Sequence, residues 1–206
     1  MKELKKDIKE YFTHRSHGFD HVMRVYRVAV KIAEKEKADL KLVKAAALLH
    51  DIARTGELNG KDVCHAEKGA EMCIPILKKH NFKDDEIKII SDAIKTHRYK
   101  NQLKPVSKTG KILQDADRLD VLGTMGIARI FSRSGELNLP FYDPNQKPAE
   151  EYESRANTAI NHFYEKILKI TPDTFHTETA KKIAKSRYKY TKEFIQRFLK
   201  EWEGDI

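Results

Sequence analysis

With 206 residues the chain suits one domain and can bury a substantial core. Lys, Ala, Glu, Leu and Ile outweigh its 9 Gly and 6 Pro, and no internal repeat or long low-complexity tract is visible. The formal charge of +9 would attract phosphorylated metabolites and nucleic acid alike, but the 40 Lys+Arg alternate with 31 Asp+Glu as on solvated helix surfaces. Cys64 and Cys73 form no CxxC, the start Met1-Lys2-Glu3-Leu4 has no apolar leader core, and no run nears the roughly 18 apolar residues of a membrane span. A reduced, cytoplasmic setting without a membrane is expected.

Leu4, Ile8, Tyr11 and Phe12 share one side of a short amphipathic helix over 2–13. A polar turn, His14-Arg15-Ser16-His17-Gly18-Phe19-Asp20, follows it. Asp20 is positioned to cap a helix of about 16 residues from His21, with the stripe Val25, Val28, Ala29 and Ile32. His21 falls at the inward-facing start of that stripe, where packing or capping is its ordinary use. Asp39 caps the next helix, which carries Leu42, Ala45, Ala46 and Leu49 and ends through the adjacent His50 and Asp51. Neighbouring helical residues point about 100° apart, so both side chains can reach one point beside the helix. Either a buried hydrogen-bonded pair or a divalent metal site accounts for them.

Residues 55–62 read as a loop by their Gly, Asn and Asp content. His65 opens another helix through Ala66, Gly69, Ala70, Cys73 and Ile74, which Pro75 kinks or interrupts. Asp84 and Asp85 start the following helix, whose face of Ile87, Ile90 and Ile94 ends in His97. Arg98, Tyr99 and Lys100 then lead into a loop around Pro105. A further helix from about Thr109 bears Ile112, Leu113, Ala116 and Leu119, with Asp117 on the face of Leu113 and Val121. A carboxylate among hydrophobes needs an arginine or a metal to meet it. Asp115 and Asp120 are offset around this helix and are expected to cap, pair or touch solvent. Residues 132–150, with Gly135, Pro140, Pro144 and Pro148, form the longest predicted structureless stretch, of a length at which loops are functional or mobile. Two helices over 151–169 and 174–202, divided by Thr171-Pro172-Asp173, close the chain. Ile160, Phe163, Ile167, Leu168, Ile183, Tyr190, Phe194 and Phe198 have the spacing of core residues. No run is rich enough in β formers to predict a sheet.

Collected in order, His21, the His50–Asp51 pair, His65, His97 and Asp117 lie on five successive predicted helices, each facing inward. One shared site explains them better than five separate structural roles. This H…HD…D pattern resembles the HD-domain metal-dependent phosphohydrolase superfamily. HGFDHVMRV (17–25), LLHDIAR (48–54) and QDADRLDVLGTMGIARIF (114–131) are similar to a bacterial and archaeal branch, some of whose members are similar to nucleoside triphosphate pyrophosphohydrolases. The resemblance covers residues 14–200 and implies an all-α HD-domain helical bundle of about seven helices. It would form a single domain over 1–206, with its core at 14–131, a loop or lid at 132–150 and C-terminal helices over 151–203.

The resemblance implies metal ligands at His21, His50, Asp51 and Asp117. Binuclear members add two histidines between the HD pair and the last Asp, and His65 and His97 occupy that interval. The reading is one tightly bound ion with His65 and His97 beside it as phosphate donors or proton shuttles; a second ion is the alternative. Nucleotidase relatives often carry an acidic residue shortly after the HD pair to activate water. This chain has Arg54 there, where binuclear relatives commonly carry a lysine, and its guanidinium suits phosphate oxygens.

A mixed His/Asp set suits Mn²⁺, Co²⁺, Fe²⁺, Ni²⁺ or Zn²⁺ better than Mg²⁺ or Ca²⁺, and such an ion lowers the pKa of bound water toward neutrality. The expected activity is hydrolysis of a phosphorylated small molecule, a nucleotide phosphoanhydride or phosphoester. Asp51 would be the catalytic ligand that orients water, while Arg54, Arg118 and Arg98 would hold phosphate oxygens under the 132–150 loop. For Arg98 a structural ion pair is the better reading. The alternatives are a binuclear phosphodiesterase or dinucleotide hydrolase, an iron oxygenase, and a nucleotide- or RNA-binding module without catalysis. Steep salt dependence of RNA binding without turnover would mark the last.

Overall fold

The structure, a computed structural model, describes residues 1–12, 18–58, 60, 64–152 and 156–205. The turn expected over 14–17, with His14 and His17, lies outside them, as do Asn59, Lys61 and Asp62 of the expected 55–62 loop. Among the described residues there are ten α-helical segments, four 3-10 turns and no strand. The all-α expectation holds. The segments outnumber the seven foreseen; the helices over Arg54–Leu58 and Gly123–Glu136 had no counterpart among the expected elements. They group into two compact units, Met1–Arg118 and Leu119–Ile206.

In the first unit α1 (Lys2–Ile8) is followed by α2 (Phe19–Lys35), α3 (Leu40–Leu49), α4 (Arg54–Leu58), α5 (His65–Lys79), α6 (Asp84–Thr96) and α7 (Lys108–Leu119). Helix α3 packs on α2 and α6, and α5 lies along α6. The sequence of α3 explains its central place: Leu42, Val43, Ala45, Ala46, Ala47, Leu48 and Leu49 are all buried, and from Ala45 on it is apolar all round. Asp39 caps it as expected, accepting from the backbone N–H groups of Lys41 at 2.8 Å and Leu42 at 3.2 Å. By contrast α2 buries one stripe, Val22, Val25, Ala29 and Ile32.

Four expectations for this unit need correction. Helix α2 begins at Phe19 behind Gly18, and the Asp20 carboxylate is taken by Arg24 at 2.6 Å rather than by a cap. The first helix is α-helical only to Ile8 and continues as a 3-10 turn over Lys9–Tyr11, where Tyr11 is exposed. The 55–62 stretch contains α4, where Arg54 and Glu57 form an ion pair across one turn. Helix α5 runs through Pro75, whose ring is exposed while Cys73 and Leu77 are buried on the packed side. The hydrogen bond that proline forfeits is thus on the solvent face, and packing carries the helix past it.

In the second unit α8 (Gly123–Glu136) packs on α9 (Ala159–Glu165) and α10 (Glu178–Glu203). Phe131 of α8 meets Phe141, Phe163, Phe194 and Phe198 at ring separations of 5.2–6.2 Å. The stretch foreseen as irregular from 132 is helical to Glu136, and Asn138 in the left-handed region (φ 53°) ends it, with Leu139 N–H reaching back to the Ser134 carbonyl. Residues 153–155 of the helix expected over 151–169 lie outside the described residues; the rest of that span is helical only in α9, under a Thr158 cap, and in a 3-10 turn at Ile167–Lys169. Helix α10 starts at Glu178 under a Thr177 cap, four residues later than expected from 174. Tyr190, assigned to the core by its spacing, is 48% exposed. No helix of the described residues is long and apolar enough to cross a membrane.

Candidate metal centre

His50 and His97 are the residues that terminate α3 and α6. Each directs Nδ1 at a carbonyl three residues back in its own helix, Ala47 O at 2.9 Å and Ile94 O at 2.6 Å. A ring nitrogen facing a carbonyl carries the proton, so in the neutral ring Nε2 keeps its lone pair. In their neutral forms both rings thereby turn an unprotonated nitrogen toward Asp51. His21, near the start of α2, and His65, the first residue of α5, complete a set of four buried imidazoles.

Asp51 sits among them and is 4% exposed. Its two oxygens face different partners. Oδ2 lies 3.5 Å from His21 Nε2 and 3.8 Å from His50 Nε2, and Oδ1 lies 3.4 Å from His65 Nε2 and 3.6 Å from His97 Nε2. Asp117 of α7 adds an oxygen 3.5 Å from His21 Nε2 and 4.0 Å from His50 Nε2. Two donor triads result, His21–His50–Asp51 and Asp51–His65–His97, each with its atoms within 4.8 Å of one another. Asp117 is less enclosed than expected, with 26% of its side chain exposed, and Asp115 is the fully buried acid of α7. Asp120 is buried and paired with Arg129 at 2.6 Å.

The donor set fits a divalent ion. His21 Nε2 and His50 Nε2 lie 3.4 Å apart, and the His–carboxylate separations exceed ordinary hydrogen bonds. Two ligands each about 2.1 Å from an ion, at a tetrahedral angle, stand about 3.4 Å apart. Converging lone pairs in a buried pocket are costly unless a cation meets them. The electrostatics agree: burial pushes the His50 imidazole down to about 4, leaving it a free base at neutral pH. Burial works against the Asp51 and Asp117 carboxylates too, but the surrounding imidazoles hold both far below their usual range. Burial likewise opposes a charge on His97, yet the Asp51 carboxylate 3.6 Å away and the nearby Asp117 raise it.

Behind His65 lies a second layer that the sequence reading did not include. Glu57 of α4 places Oε2 2.8 Å from His65 Nδ1 and Oε1 2.8 Å from Arg98, and it also pairs with Arg54. Arg98 therefore has the structural ion pair expected of it. Burial alone would raise the Glu57 carboxyl, but His65, Arg54 and Arg98 bring it down to about 2. The one sequence signal for Glu57 was its position one turn after Arg54, hidden because the segment read as a loop. Arg54 Nη1 is 2.8 Å from His65 Nδ1, and its Nε is buried without a hydrogen-bond partner. Arg118 stacks on the Tyr99 ring at 5.3 Å and stands beside Asp115 and Asp117.

Comparison with known proteins adds a family and relatives. The HD domain family model matches residues 18–122. YpgQ of Bacillus subtilis, an uncharacterized protein, is 34% identical, with 99% of this chain and 97% of that protein aligned. A solved Lactobacillus plantarum structure covers 99% of this chain and 97% of its own at 34% identity and a TM-score of 0.79. A Bacillus thuringiensis HD-superfamily hydrolase covers 98% and 96% at 32% identity and a TM-score of 0.75. YpgQ has also been solved in complex with ADP, a structure that matches at 27% identity over 97% of this chain and 93% of its own, with a TM-score of 0.72. The matched segment contains all six inward-facing donors, and the chain belongs to the HD domain family.

Proposed function

We propose that this protein is a divalent-metal-dependent phosphohydrolase acting on a nucleotide. The observation that carries the reading is Asp51, whose two oxygens each face a pair of imidazole nitrogens in a buried pocket. His21, His50, Asp51 and Asp117 would hold one transition ion, Mn²⁺, Co²⁺, Fe²⁺, Ni²⁺ or Zn²⁺. His65, His97 and the other oxygen of Asp51 would hold a second, which the division of the donors favours over the single ion read from the sequence. Bound there, such an ion supplies charge to neutralise a phosphoryl oxygen and eases deprotonation of a water. The 26% exposure of Asp117 gives the pocket an open side on which a substrate phosphate can approach. Arg54, with a buried Nε that lacks a partner, has a donor left for a phosphate oxygen, and Arg118 is a second candidate for that contact. ADP bound to the related YpgQ supports a nucleotide as the phosphorylated ligand.

The test is a panel of dNTPs, NTPs and monophosphates with Mn²⁺ or Co²⁺, resolving phosphate from pyrophosphate. Asp51→Ala is the control and should abolish turnover while leaving the far-ultraviolet helical signal intact. Pyrophosphate released from triphosphates would mark a pyrophosphohydrolase, and phosphate from monophosphates a nucleotidase. Turnover retained in Asp51→Ala would refute the assignment.

A further inference from the structure

The four imidazoles are not held alike. His50 and His97 end helices, so each finds a backbone carbonyl of its own helix for Nδ1. His65 is the first residue of α5 and has no turn of helix behind it. Its Nδ1 instead meets Glu57 Oε2 at 2.8 Å. Two lone pairs at that separation would repel, so Nδ1 carries the proton toward Oε2; Arg54 Nη1, also 2.8 Å from Nδ1, directs its own hydrogen to the same Oε2, and Nε2, 3.4 Å from Asp51 Oδ1, is the free base. Arg54 shares Oε2 with the imidazole as a second donor, and Arg98 occupies Oε1 at 2.8 Å. The carboxylate is thus clamped from both ends and cannot swing into the pocket as a ligand itself.

We infer that Glu57 is the positioning residue of the half-site formed by Asp51, His65 and His97, fixing the His65 tautomer and ring so that Nε2 faces a second ion. The inference rests on the metal-centre reading above. Glu57 touches neither the ion nor the substrate; it acts through His65, and Arg54 and Arg98 hold it in place. A carboxylate behind a ligating histidine commonly governs affinity by about 10–100-fold.

Three measurements test it on the full chain. Nitrogen-15 imidazole spectra of the metal-free protein should show His65 protonated at Nδ1 in the wild type and a tautomer mixture in Glu57→Ala. Calorimetric titration with Mn²⁺ should find two ions in the wild type. In Glu57→Ala the weaker ion should lose about 10–100-fold in affinity while the tighter one stays within a few-fold. His65→Ala should mimic that loss, and Glu57→Gln, which keeps an acceptor oxygen but not the charge, should fall between. The Co²⁺ visible spectrum should change only in the part contributed by the second ion. Equal second-ion affinity in wild type and Glu57→Ala, an unchanged His65 tautomer, or a single ion in the wild type would each overturn the role of Glu57. No ion bound by the wild type would instead overturn the metal-centre reading itself.

Discussion

At the scale of single residues, the chemistry depends on which nitrogen of each histidine carries a proton, and that is set by what stands behind the ring. Ala47 O and Ile94 O decide it for His50 and His97, and a side chain decides it for His65. The histidines and aspartates themselves were legible, because polar residues on apolar helical faces stand out in a pattern. Glu57 was not, since an acid in a polar segment looks like any surface acid until the fold brings His65 to it. Arg54 lies where both layers meet. Replacing it with Ala removes a charge-assisted donor worth about 1.5–3 kcal/mol, which corresponds to a KM for a phosphorylated substrate raised roughly 10- to 100-fold. Steady-state kinetics checks this, and unchanged values would leave Arg54 with only its ion pair to Glu57.

At the scale of elements, most helices were read from the sequence, but α4 and α8 were not, and helix ends were read poorly. Apolar periodicity marks the middle of a helix, whereas ends are decided by capping and by residues that enter the left-handed region. Lys37, Asn81 and Asn138 take positive φ of 53–57° just after α2, α5 and α8. At Lys37 and Asn81 the turn is closed by a backbone bond from the next residue, Ala38 to Ala33 and Phe82 to Leu77. None of these residues is Gly, so the usual stop signal was missing. Gly126 carries a steric demand: a Cβ there would sit 2.1 Å from the Val121 carbonyl oxygen. Gly126→Ala must shift the backbone entering α8 and should cost about 1–3 kcal/mol, the range of overpacked sites. A thermal midpoint lowered by several degrees is the expected result, and an unchanged midpoint would show that this turn yields freely.

At the scale of the whole molecule, the proposed centre belongs to the first unit, while the second holds an aromatic core and a half-buried histidine of its own. His162 packs against the Tyr152 ring at 5.0 Å, and burial, helped by Lys166, pushes its imidazole down to about 3. Its folded value lies below the unfolded one near 6.5. Between those limits the unfolded chain holds a proton that the folded chain refuses. The sign follows: this contribution to stability is complete above pH 6.5 and is lost as pH falls toward 3, by up to about 1.4 kcal/mol per pH unit. Thermal melts from pH 7 to pH 4 should fall more steeply in the wild type than in His162→Gln, and parallel curves would show that His162 takes up its proton while folded.

The sequence by itself determined the helical class, the family and the six inward-facing donors, because these follow from local periodicity and from residue types that are costly to bury unpaired. The tertiary structure decided what those donors form. Residues between 21 and 117 meet within a few ångströms only once the helices pack, and only then does Asp51 face two histidine pairs with its separate oxygens. It also decided that a segment read as a loop is a short helix bearing Glu57, whose carboxylate His65, Arg54 and Arg98 share. Pattern reports which way a side chain faces along its own element; the partner it meets there is a property of the packing.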